Sequence, residues 1–191
     1  SGIPGAKVLS AGHIFDKRRN DNCQHGQYSR LPDCAIRPAK RGADVMTEGE
    51  KIAEAALSWL GTPHVNGAKS RGHGIDCGML LIAATEDAGY IAKDAVKVAP
   101  YSNEWHLHHS DEWFLHYVQT YCREVKTMEA GDFLLYQFGR CISHGGVYVG
   151  NGMVCHAVVD QGVILSSVDD VMFLDAKGRS RLRGIYRFGG Q

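Results

Sequence analysis

The chain has 191 residues, 44% of them hydrophobic, which suits one domain with a buried core and an extension at one end. Lysine plus arginine number 21 and aspartate plus glutamate 21, so no overall field draws the protein to nucleic acid or an anionic membrane, and charge-based recognition must be local. No apolar run approaches the roughly 18–20 residues that cross a bilayer, and the opening SGIPGAKVLSAGHIFDKRRN lacks the apolar stretch of an export signal, so export would need a removed signal or another route.

Residues 1–45 are polar, basic and rich in turn formers, and they predict an N-terminal arm, partly irregular, ahead of a domain over 46–191. Within the arm Cys23 and Cys34 are free to pair, or to join His25 in a metal site. The absence of CxxC spacing favours ordinary thiols. Thr47 and Glu50 form a capping box, and Ile52, Ala53, Ala56, Leu57 and Leu60 recur at helical spacing behind it. Gly61 suits a left-handed cap and Pro63 stops the helix. The glycine-rich TPHVNGAKSRGHG then predicts a loop that delivers Ile75, Asp76 and Cys77 to a second helix, apolar nearly all round, ending near Gly89.

A third helix is predicted from Ser110, with Trp113, Phe114, Tyr117, Val118 and Tyr121 as its apolar face. From Gly131 the texture changes to short strands: 132–138, 143–149, 153–159, 163–168 and 182–188. GNG and DQG supply hairpin turns between them. Helices first and an antiparallel meander second make an α+β fold with a sheet of five to six strands.

Cys77 opens a helix, where free backbone N–H groups favour a thiolate and can also receive an oxyanion. Buried inert cysteines are common too, and position alone does not decide between the two. A cysteine nucleophile needs a base, and the base an orienting partner. His144 and His156 lie on two strands joined by the GNG turn, close enough across the hairpin for one imidazole to fix the tautomer of the other. Asp76 either caps the helix or receives a substrate amine, and capping preference favours the first. His106, His108 and His109 form the densest histidine group. Without further ligands they predict an aromatic-rich surface near substrate rather than a metal site.

LGTPHVNGAKSRGHGIDCGMLL followed by SHGGVYVGNGMVCHA resembles the NlpC/P60 cysteine peptidases of bacterial cell walls, over about Thr47 to Phe188. The resemblance implies a papain-like fold, with Cys77 as nucleophile, His144 as base and His156 as the orienting third residue. It implies no cofactor and no metal, and a peptidoglycan stem peptide as the substrate, cut commonly next to a γ-linked D-glutamate. Action would be secreted, periplasmic or virion-associated. YSNEWHLHHSDEWFL and RLRGIYRF are similar to the branch found in phage and prophage tail proteins, which implies tail or secretion-apparatus proteins as partners.

Departures from the family pattern fall around the nucleophile. His64 and Asn66 stand where the family has a tyrosine and another aromatic, and Gly78 and Met79 replace serine and glycine. His64 is expected to donate in place of the tyrosine, and His64, Asp76, Gly78 and Ser143 are the expected substrate-binding residues. Two other readings compete: a papain-like amidase or acyltransferase on another amide or a lipid, and a tail module that has lost its activity.

Overall fold

The computed structural model describes residues 45–102 and 112–189. The predicted arm up to residue 44, with Cys23, His25 and Cys34, lies outside the described residues. So do Trp105, His106, His108, His109 and the predicted helix start at Ser110.

Helix α1, Glu48–Leu57, begins at the capping box read from the sequence. The Thr47 N–H donates to Glu50 at 2.8 Å, and the Glu50 N–H donates to the Thr47 hydroxyl at 3.2 Å. Turns carry the chain on to Gly61, whose φ of 79° is the left-handed geometry expected of it. The segment predicted as loop holds a small hairpin, β1 (Lys69–Ser70) against β2 (Gly74–Ile75). Two residues per strand are too few for alternation to show in the sequence. Helix α2 spans Cys77–Asp87 and α3 spans Trp113–Tyr121.

At Cys122 the backbone passes directly from α3 into an unpredicted strand, β3 (Cys122–Val125). CREV carries no hydrophobic period of its own, and its partner β8 supplies the pairing. The other strands follow the sequence closely: β4 Phe133–Phe138, β5 Cys141–Gly150, β6 Met153–Val158, β7 Gly162–Ser167 and β8 Leu182–Phe188. They form one antiparallel six-stranded sheet in the order β3-β8-β4-β5-β6-β7.

Side chains alternate across this sheet. Leu135, Val147, Cys155 and Ala157 pack with Ile52 and Ala56 of α1 and with Leu80, Leu81 and Ala84 of α2. Leu134, Tyr136 and Val154 form a smaller cluster with Phe173, from the 3₁₀ turn Val171–Phe173 after β7. Of the apolar face predicted for α3, only Val118 is buried, and Trp113 is 58% exposed.

Candidate active site

Asp76 caps α2 and is itself only 3% exposed. One carboxylate oxygen accepts the Met79 N–H at 2.9 Å. The other accepts the Gly67 N–H and the Tyr101 hydroxyl, each at 2.5 Å. The capping alternative is therefore realised, and both oxygens are occupied by the protein. The Leu80 N–H goes to the Asp76 carbonyl, which leaves those of Cys77 and Gly78 from the first turn. These two, joined by the Gly145 N–H from β5, face the Cys77 sulfur and favour negative charge on it.

They do not prevail. Burial, with the Asp76 carboxylate adding to it, pushes the Cys77 thiol up to about 12. The helix-stabilised thiolate expected from the sequence is thus not the resting state, because desolvation at this site outweighs the helix N-terminus. The thiol donates weakly to the Ser143 carbonyl at 3.8 Å. Among the described residues no hydrogen bond joins Cys77 to the His144 ring. The sulfur instead contacts the backbone of both residues that flank His144.

The histidines meet as predicted, by a route the sequence leaves open. His144 Nε2 lies 2.8 Å from His156 Nδ1, with the rings edge to face. One residue beyond the Val147–Cys155 pair, Gly146 comes against His156 and Val154. A Cβ there would lie 2.9 Å from His156 Cβ and 2.5 Å from Val154 Cγ2. A glycine inside a strand is the mark of such close approach.

Phe173 lies 5.2 Å from the His156 ring and Phe138 lies 5.5 Å from His144, so the pair sits among aromatics. Burial holds His144 down at about 3, with positive charge on His156 and His64 acting the same way. Burial also holds His156 at about 4, only partly offset by the Asp170 carboxylate.

The expected binding residues have defined places. His64 bridges to Ile75, within electrostatic reach of His144. The Ser143 hydroxyl is committed to the Phe138 carbonyl at 2.9 Å. Gly78 and Gly145 both lie against the Phe114 ring, and a Cβ on either would come within 2.9 Å of it. Asn66 donates to the Tyr101 carbonyl at 2.8 Å. Tyr101, missed in the sequence, is thus held by Asn66 through its backbone and by Asp76 through its hydroxyl. Its only signal was the pair of polar residues far upstream. A cavity of about 470 Å³ opens beside Cys77, with Met79, Ile82, Val98, Phe114, Tyr117 and Phe133 among its largely apolar walls.

Residues 61–180 match the sequence model of the NlpC/P60 family. Among curated proteins no relative matches. NlpC1 from Trichomonas vaginalis is 18% identical with a TM-score of 0.51, over 77% of this chain and 46% of that one. NlpC2 from the same organism is 19% identical with a TM-score of 0.50, over 76% and 48%. The NlpC/P60 domain of the peptidoglycan hydrolase SagA is 18% identical with a TM-score of 0.47, over 73% and 98%. This chain spans about half the length of the two Trichomonas structures, and the likeness to them is one of fold.

Proposed function

Since this chain belongs to the NlpC/P60 family, we propose that it is a cysteine peptidase hydrolysing amide bonds in the stem peptides of bacterial peptidoglycan. Cys77 is the nucleophile, His144 the base and His156 the residue that orients it. The observation that carries this reading is the 2.8 Å contact between His144 Nε2 and His156 Nδ1. It leaves Nδ1 as the ring nitrogen available to a thiol that lies against the backbone on both sides of His144.

As the sulfur attacks the substrate carbonyl, its proton passes to His144 Nδ1. The negative charge that develops on the carbonyl oxygen is received by the Cys77 and Gly78 N–H groups. The imidazolium then gives its proton to the departing amine, and a thioester remains. Water attacks that thioester while His144 takes a proton from it. The acid product leaves and the proton returns to sulfur. No redox step arises, and each proton that leaves one group arrives at another. Cys77→Ala is expected to fold and to lose turnover completely. Mass spectrometry of muropeptides after digestion by both proteins tests this, and cleavage retained by the variant would end the assignment.

The apolar cavity favours a second reading: an amidase or acyltransferase whose substrate places an apolar group beside Cys77. The same digestion, run beside a series of acyl amides of increasing chain length, separates the two. Turnover that rises with chain length and is absent on peptidoglycan supports the second.

A further inference from the structure

Behind the histidine pair the chain of polar contacts continues. His156 is fully buried, and its Nε2 lies 2.9 Å from the Ser166 hydroxyl oxygen on β7. Ser166 is itself only 7% exposed, and its hydroxyl contacts the Met172 sulfur at 3.8 Å, in the 3₁₀ turn that follows β7.

Counting protons along this line leaves two orders. In the first, His144 Nε2–H donates to His156 Nδ1, His156 Nε2–H donates to Ser166, and the Ser166 hydrogen points to Met172. In the second every bond is reversed: Ser166 donates to His156 Nε2, and His156 Nδ1–H donates to His144 Nε2. The neutral His144 ring then carries its hydrogen on Nδ1. The second order would leave His144 with no lone pair for the thiol. A thioether accepts a hydrogen bond weakly and cannot donate one, so the Ser166–Met172 contact contains a hydrogen only in the first order.

We propose that Ser166 is a positioning residue: its oxygen accepts from His156 Nε2–H, which fixes the tautomer of both imidazoles and keeps Nδ1 of His144 as the proton acceptor. The inference rests on His144 being the base. Met172 supports Ser166 by taking the hydroxyl hydrogen and so turning a lone pair toward His156. Asp170 adds a carboxylate within electrostatic reach of His156, and its own oxygen holds the Met172 N–H at 3.0 Å. Serine, methionine and aspartate thus act on the base through His156, none of them near the reacting atoms.

Nitrogen-15 NMR of the imidazole rings reads the tautomers directly. In the unmodified protein His156 is expected to carry hydrogen on Nε2 and a bare Nδ1, and His144 the same. Ser166→Ala should mix or reverse the His156 tautomer and lower kcat roughly 5- to 10-fold, the size of one lost hydrogen bond, with KM little changed. Ser166→Thr keeps the hydroxyl and should restore the tautomer. Should the alanine variant fail to fold, Met172→Leu keeps the volume, removes the acceptor and should loosen the same preference. A hydrogen found on His156 Nδ1 in the unmodified protein overturns the proposal, and so does an alanine variant with unchanged tautomers and kcat. An unmodified protein without turnover would end the catalytic reading alone, because the ring signals still decide the role of Ser166.

Discussion

At Cys77 two influences oppose each other, and their balance sets how the thiol behaves before any substrate arrives. Three N–H groups favour charge on sulfur, while burial and Asp76 disfavour it and hold the thiol at about 12. His144 is held at about 3 by the same desolvation. Between these values neither group is charged, so the resting pair is a neutral thiol beside a neutral imidazole. In the proposed mechanism the thiolate–imidazolium pair forms only as the carbonyl is attacked. Alkylation of free Cys77 by iodoacetamide is therefore expected to climb with hydroxide concentration through neutral pH, with no plateau between about pH 5 and 8. Such a plateau in the measured rate would mean that a preformed ion pair exists.

Among the elements, the hairpin of β5 and β6 does most to build the site, and Gly146 sets its internal clearance. Gly146→Ala forces a methyl into Val154 and His156, with an expected cost of about 1–3 kcal/mol. Urea unfolding should show that loss together with reduced turnover, whereas an unchanged midpoint would mean that the strands part freely. Much of this hairpin was legible in advance. Alternating apolar residues and the GNG turn locate both strands to within about two residues, and they bring His144 near His156. The capping box located α1 for the same reason, since its signal is local. What escaped the sequence depends on distant partners. β3 exists because β8 pairs with it, and Tyr101 matters because Asn66 and Asp76 reach it from 35 and 25 residues away. The thiolate expectation failed for a similar reason: a helix N-terminus is visible in sequence, and the depth at which it is buried is not.

Across the whole molecule, the buried histidines make stability depend on pH in a defined direction. Both have folded values, about 3 and about 4, below the ordinary 6.5, so the unfolded chain takes up protons first. Their contribution is complete above about pH 6.5 and is lost as pH falls toward 4, by up to ~1.4 kcal/mol per pH unit for each ring. His156→Asn should flatten that slope by about one proton. Unfolding midpoints measured from pH 7 to pH 4 check this, and parallel slopes for both proteins would refute it. The order of strands in the sheet has a further consequence, for how the protein reaches its active form. His144 and His156 are 12 residues apart, and His156 and Ser166 are 10 apart, on consecutive antiparallel strands. Closing such short loops costs little chain entropy, and hairpins of this kind form within microseconds. Cys77 meets Ser143 across 66 residues and depends on α2 docking against β5. On the proposed mechanism the residues that accept the proton can thus assemble early, while the sulfur that gives it up arrives with a longer and more entropically expensive closure, so a partly folded chain would carry a finished base with nothing to act on.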